Sequence, residues 1–222
     1  MGLYADQIFP RLMNWVMGSK QFQELRRQAL APARGHVLEI GFGMGLNLAH
    51  YTKGVTWITA VDPANLPTAL VAKQTTAGSI PVKVVRLSAE TLPFESGQFD
   101  WAVSTWTLCT VRDPVMALRE VRRVLKPGGQ FIFLEHGRSA DPKIALWQDR
   151  LTPFQRVVAC GCHLNRQIDA LIRQAGLTIT QMERFQMEGV PRVAGAMYRG
   201  IATPHAPIGL SGRYQAYPQD QM

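Results

Sequence analysis

The sequence predicts an α/β domain: a doubly wound, mostly parallel sheet of seven strands that ends in an antiparallel C-terminal strand pair. Three observations carry this. From His36 onward, five short β-branched or apolar runs (VLEI, VTWITAV, VKVVRL, FDWAVST and QFIFLE) alternate with helical stretches, the pattern of right-handed crossovers between parallel strands. The first run ends in a glycine-rich turn. The last two runs, TITQMERF and GAMYRGIA, read as an antiparallel pair completing the sheet.

The elements follow in order. Residues 1–34 read as a helical N-terminal segment, because after Ser19, a good cap, Phe22, Leu25 and Ala29 recur at spacings of three and four. After the first strand, Gly41, Gly43 and Gly45 form the turn, and a helix is expected through Leu46-Asn47-Leu48-Ala49. After the fourth strand, Asp113 caps a helix with Pro114 at its first position; Val115, Leu118, Val121 and Leu125 share one face, and Lys126-Pro127-Gly128-Gly129 ends it. Asn165 is expected to cap a helix carrying Ile168, Leu171 and Ile172, closed by Gly176. The domain is thus 35–203, and 204–222, with prolines 204, 207 and 218 and no periodicity, is an irregular tail.

Composition agrees with a single folded domain of 222 residues, 46% hydrophobic and 18% charged, far from the disordered regime. No long apolar run or signal-peptide pattern is visible, since Asp6, Pro10 and Arg11 interrupt the start, so secretion and membrane spanning are not expected. Three cysteines with no framework spacing argue for a reducing compartment, and the expected location is cytoplasmic. The net charge of +8 is mostly dispersed arginine, which attracts anions without identifying one. No appended domain interleaves basic and aromatic residues, so no nucleic-acid partner is expected.

In an open sheet of this kind ligands bind beyond the carboxyl ends of the strands, where strand order reverses. The turn Glu39-Ile40-Gly41-Phe42-Gly43-Met44-Gly45 lies there, but Leu46 stands where a dinucleotide fingerprint needs its third glycine. No Gly-Lys-Ser/Thr follows, so it is no P-loop. Asp62 ends the second strand 21 residues after Gly41, a placement from which a carboxylate accepts hydrogen bonds from both hydroxyls of a ribose, and Pro63 stops the strand behind it. Turn and acid together predict an adenosyl-cofactor site.

Here the sequence resembles the class I methyltransferases that use S-adenosylmethionine. VLEIGFGMG is like their first motif, AVDP their ribose-binding acid, AETLPFESGQFD their adenine-side loop and third-to-fourth strand connection, and LREVRRVLKPGGQFIFLEH the helix and fifth strand, all in the family's order over residues 36–136. The resemblance implies the Rossmann-like methyltransferase fold and S-adenosylmethionine as cofactor. Its contacts would come from Glu39, Gly41, Gly43, Gly45, Asn47, Asp62, Pro63, Ser88, Ala89, Glu90 and Thr105. One departure is Ser88, where the family usually has the aspartate that bonds the adenine amino group; Glu90 or Ser88 itself would substitute. NLAHY, STWTLCTV, FLEHGRS and GCHLNRQIDALIRQAGL narrow the resemblance to small bacterial relatives of the animal methyltransferase-like thiol methyltransferases. These animal proteins carry a hydrophobic membrane-anchoring start, which this sequence lacks, so no stable anchor is expected.

A sulfonium methyl is already electrophilic, so the protein has to align a nucleophile and exclude water, with no metal or covalent intermediate required. Strand ends offer Trp106, Thr107, Glu135, His136 and, further on, His163. His136 and His163 are candidate proton acceptors, set against the plainer reading of structural hydrogen bonds, and Trp106 is a pocket wall. Cys160-Gly161-Cys162-His163 is too tightly spaced for a tetrahedral site and lacks a partner cluster, so no metal is expected. A thiophilic substrate such as arsenite, held by Cys109, Cys160 and Cys162, is a minor alternative. The family's DNA-base chemistries are not supported, because Ser-Thr-Trp-Thr-Leu-Cys replaces their Asn/Asp-Pro-Pro or Pro-Cys segments.

The sequence therefore predicts methyl transfer to a small molecule, a thiol favoured. The alternatives are an amine, hydroxyl or phospholipid headgroup, or a cofactor-binding protein without catalysis. The oligomer is left as monomer or homodimer. Residues 1–34 are read as a lid whose Tyr4, Ile8, Phe9, Leu12 and Trp15 cover the acceptor pocket; packing on an outer helix and a membrane-surface helix are the competing readings.

Overall fold

A computed structural model of the chain describes residues 9–64 and 80–204, with side chains from Arg11 onward. Two helices, α1 (Phe9–Met17) and α2 (Lys20–Leu30), precede the sheet, whose strands are β1 (Gly35–Ile40), β2 (Val55–Val61), β3 (Val82–Val85), β4 (Phe99–Thr105), β5 (Leu125–His136), β6 (Leu177–Gln186) and β7 (Ala196–Pro204). Three further helices are α3 (Pro114–Val124), α4 (Pro142–Val158) and α5 (Ile168–Gln174). The strand order is β3-β2-β1-β4-β5-β7-β6, parallel from β3 through β5, with β7 antiparallel to both β5 and β6. Sequential order reverses between β1 and β4, the switch point beyond whose carboxyl ends ligands bind in open sheets of this kind.

Alternation along the strands builds two apolar layers, because successive side chains point to opposite faces. Leu38, Ile40, Phe131 and Phe133 face Leu118 and Val121 of α3 and Ile168 and Ile172 of α5. Val37, Val103, Ile132 and Leu134 face Ala29 and Leu30 of α2. Burial on both faces is why the central parallel strands β1 and β4 read as near-continuous apolar runs rather than as alternating ones, whereas β3, at the sheet edge, has no fully buried residue.

The predicted caps hold in part. Asp113 accepts the Met116 N–H at 2.9 Å, with Pro114 in the first turn. Ser19 precedes α2 in extended backbone, but its side chain makes no capping bond. Asn165 does not cap α5: the cap position is Gln167, and the Asn165 amide instead donates to Asp149 at 2.8 Å. The helix expected through 46–49 is replaced by one 3-10 turn, Leu48–His50, after which Tyr51 is extended. Asn47 and Tyr51 turn their side chains inward, which ends helical winding there. α3 ends at Val124, before the expected Lys126-Pro127-Gly128-Gly129 stop: Leu125, expected on the helix face, is already extended and opens β5, with the register shift between Phe99 and Trp101 and a left-handed Gly128 (φ 78°) absorbing the kink. Of the proposed lid residues, Tyr4 and Ile8 fall outside the described residues, as does the tail beyond 204. Leu12 is exposed and Trp15 is 78% exposed, so within the described chain neither covers an apolar surface. No helix among the described residues is long and apolar enough to cross a membrane.

Candidate active site

The turn after β1 is shaped by three glycines with left-handed backbone, at φ 72°, 54° and 74° for Gly41, Gly43 and Gly45. Two of them have distinct reasons to be glycine. A Cβ on Gly41 would lie 2.0 Å from Thr107 Oγ1, because the loop after β4 packs directly on the turn. A Cβ on Gly43 would meet nothing within 4 Å, so here backbone faces open space, the arrangement that lets a ligand approach the main chain. The Gly43 N–H donates to Asp62 Oδ2 and the Ala64 N–H to Oδ1, both at 2.8 Å. These bonds fix the Asp62 carboxylate beside the open turn. Burial raises the Asp62 pKa, and the two amides oppose that shift.

Beneath the turn lies a buried polar network. Glu39 Oε1 accepts from Asn47 Nδ2 at 3.0 Å and Oε2 from the Tyr51 hydroxyl at 2.7 Å. Asn47 Nδ2 also donates to Thr105 Oγ1 at 3.0 Å, and Asn47 Oδ1 accepts from Arg26 Nε at 3.1 Å. Burial pushes the Glu39 carboxyl up to about 7 against the pull of Tyr51, Asn47 and Arg26, and burial brings Arg26 down to about 10. Both side-chain oxygens of Glu39 are thus occupied within the protein, a position that holds the turn from below.

Arg26 also carries α2 to the site. Its guanidinium donates to Met17 O at 2.7 Å and lies 4.7 Å from the centre of the Trp106 ring, against which Phe22 packs edge-on at 5.2 Å. Trp106, directly after β4, has φ 49°, a left-handed conformation that is uncommon for a bulky residue and is stabilised here by its N–H bond to Leu134 O at 2.9 Å. The following loop hangs on Glu135. That side chain is fully buried and accepts from Ser104 Oγ, Thr107 N and Leu108 N at 2.6, 3.1 and 3.2 Å. Glu135 and Thr107 therefore do not project toward an acceptor; Thr107 Oγ1 is spent on Ile40 O and Thr105 O.

On the other flank of β1, Pro63 is exposed, and Ser88, Ala89 and Glu90 follow β3. Ser88 Oγ donates to Glu90 Oε2 at 2.9 Å, Glu90 Oε1 accepts from Asp113 N at 2.6 Å, and Ala89 is buried in the α3-side core. The two candidate histidines have different surroundings. His163 Nδ1 lies 3.1 Å from Cys109 O; a carbonyl can only accept, so Nδ1 carries the proton and leaves Nε2 as the acceptor in the neutral ring. His136 Nε2 instead lies 3.1 Å from Cys162 Sγ, and its buried Nδ1 has no partner among the described residues. Burial lowers the His136 pKa, but the bond and charge of Cys162 outweigh this and raise it overall. The Cys162 thiol is lowered, chiefly by its hydrogen bond with Cys109 and with help from His136.

Spacing exposed the glycine turn, Asp62 and the strand-end residues. It missed Arg26, Tyr51, His136 as the neighbour of Cys109 and Cys162, and Arg166, whose guanidinium donates to Leu108 O and Val111 O. An arginine at the buried position of an amphipathic helix, as Arg26 is in α2, was the available signal. A cleft at the opposite sheet edge, lined by Arg34, Trp101 and the Asp100–Lys126 ion pair (2.7 Å), lies away from all of these residues.

Turn and acid are the arrangement of an adenosyl-cofactor protein, and comparison narrows the class. The chain matches the methyltransferase domain family over residues 38–133 and is 30% identical over 190 residues to human thiol S-methyltransferase TMT1B, spanning 79% of this chain and 78% of that protein. It belongs to the class I S-adenosylmethionine-dependent methyltransferases. It is 32% identical to rat thiol S-methyltransferase TMT1B over 151 residues, 66% of this chain and 62% of the rat protein, so that match spans less than two thirds of the relative. A demethylmenaquinone methyltransferase of Staphylococcus aureus (strain JH9) is 42% identical over 72 residues, 32% of this chain and 30% of that protein. Among solved structures, the [4+2]-cyclase SpnF has a TM-score of 0.63 at 22% identity, covering 84% of this chain and 81% of that one. A SAM-dependent methyltransferase from Methanosarcina mazei has a TM-score of 0.58 at 23% identity, covering 78% and 93%. These two show the fold.

The residues fit S-adenosylmethionine on structural grounds: unblocked backbone at Gly43, and beside it the buried Asp62 carboxylate, fixed by the Gly43 and Ala64 amides with one lone pair left on each oxygen.

Proposed function

We propose that this protein transfers the methyl group of S-adenosylmethionine to a small thiol. The observation that carries the thiol is the 30% identity with a thiol S-methyltransferase, sustained over 79% of the chain. Bound S-adenosylmethionine supplies an electrophilic methyl on a sulfonium centre. Asp62 holds the ribose hydroxyls with the lone pairs not used by Gly43 and Ala64, and Gly41, Gly43 and Gly45 give main-chain contact to the rest of the sugar and amino-acid portion. Pro63, Ser88, Ala89 and Glu90 border the adenine. Glu39, Asn47 and Thr105 act from below as positioning residues, since their side chains bond one another.

Trp106 walls the acceptor side, with α2 behind it as the inner part of a lid. His163 Nε2 takes the acceptor proton when the thiol arrives protonated; thiols with an ordinary pKa of about 8.5 need only modest help. His136, whose Nε2 is engaged by Cys162, positions the β5 end rather than exchanging a proton with the acceptor. The protein's part would be to orient the acceptor thiol and exclude water, and the rate gain comes from that alignment. Turnover of methyl-labelled S-adenosylmethionine against matched alkyl thiols, phenols, amines and lipid headgroups tests this. The thiols are expected to turn over fastest; faster turnover of an amine, phenol or lipid overturns the thiol assignment.

A further inference from the structure

Three soft or borderline donors converge outside the residues assigned to the cofactor. Cys109 lies in the loop after β4, His136 ends β5, and Cys162 lies between α4 and α5. Their ligand atoms all fall within 4.8 Å of one another. Both thiols are buried.

The backbone around them is fixed by bonds that do not involve the three side chains. Glu135 caps the N–H groups of Thr107 and Leu108 ahead of Cys109, while the Arg166 guanidinium grips Leu108 O and Val111 O on either side of it. The His163 N–H bonds Cys109 O at 2.9 Å and so ties the two cysteine segments together. Left-handed backbone at Cys160 (φ 49°) and Gly161 (φ 97°) turns the chain so that Cys162 points inward while Cys160 stays exposed.

We propose that Cys109, His136 and Cys162 form a binding site for one zinc-class divalent ion, with a fourth position left to water. Two thiolates and a neutral imidazole balance the charge of the ion, and this donor set selects zinc over hard cations. Zinc bonds of about 2.3 Å to sulfur and 2.0–2.1 Å to nitrogen require donor separations of about 3.5–3.8 Å in a tetrahedron. His136 Nε2 and Cys162 Sγ, at 3.1 Å, need to separate slightly, and no pair has to close by more than about 1.3 Å. The close spacing of Cys160-Gly161-Cys162-His163 argues against a local site, and the fold uses only Cys162 from that segment. The proposal does not depend on which acceptor the enzyme methylates.

The test is a titration of the chelator-stripped, reduced full chain with cobalt(II), followed by zinc(II). One equivalent is expected to give an intense near-ultraviolet thiolate-to-cobalt band with visible tetrahedral bands, and zinc is expected to bleach both. Cys109→Ser, His136→Ala and Cys162→Ser should each weaken binding by more than about a hundredfold, while Cys160→Ser should leave it unchanged. Because a variant can fail to fold, the wild-type protein is also melted with and without zinc, and a zinc-dependent rise in Tm is expected. Absence of a stoichiometric thiolate band in the wild-type chain overturns the site, as does a band retained by folded Cys162→Ser.

Discussion

At Asp62 each carboxylate oxygen already accepts one backbone amide, from Gly43 or Ala64, and keeps a second lone pair for a diol. Removing the carboxylate costs those charge-assisted ligand bonds, worth about 1.5–3 kcal/mol each at most. Asp62→Ala is therefore expected to bind S-adenosylmethionine at least about tenfold more weakly by calorimetry while its circular dichroism stays native. Equal affinity in the folded variant would remove Asp62 from the site. Glu39 offers a pH test. Its folded pKa of about 7 lies above the ordinary 4.5, so its contribution to stability is full below about pH 4.5 and is lost as pH rises through 7. The shift corresponds to about 3 kcal/mol by linkage. Glu39→Gln should show a shallower fall in thermal stability between pH 5 and 8 than wild type. Some fall persists because Glu135 is raised to about 7 as well. Identical slopes in the two proteins would contradict the burial account of Glu39.

At the scale of elements, α2 is the link between the N-terminal segment and the site, through Phe22 and Arg26 on Trp106 and Arg26 on Asn47. Deleting residues 1–18 removes α1 and the Met17 carbonyl that Arg26 holds, while leaving α2 in place. The truncated protein is expected to fold and to turn over soluble acceptor more slowly; normal turnover would rule out the lid. Sequence periodicity was most informative where one physical cause dominated. Asp113-Pro114 and the face of Leu118 and Val121 predict α3, and the apolar runs predict β1, β2, β4 and β5. It failed where tertiary bonds overrode local preference. Asn47 and Tyr51 leave the helical path to reach Glu39, and Asn165 bonds Asp149 rather than a helix start. The same limit applies to the site: Gly41, Gly43 and Asp62 follow from spacing within one crossover. By contrast, Cys109, His136 and Cys162 come from three segments that only the fold brings together.

For the whole molecule, the sheet order brings the loops after β1, β2 and β4 to one edge, and the opposite edge carries the cleft lined by the Asp100–Lys126 pair. This architecture is shared with a [4+2]-cyclase, so the fold alone does not set the reaction, and the account rests on what the carboxyl edge holds. The most direct measurement is a crystal structure of the chain with S-adenosylhomocysteine, the product of methyl transfer. The account predicts both ribose hydroxyls within hydrogen-bond distance of Asp62, the ligand against the main chain of Gly43, and the sulfur turned toward Trp106. Ligand bound at another edge, or ribose hydroxyls directed away from Asp62, would contradict it.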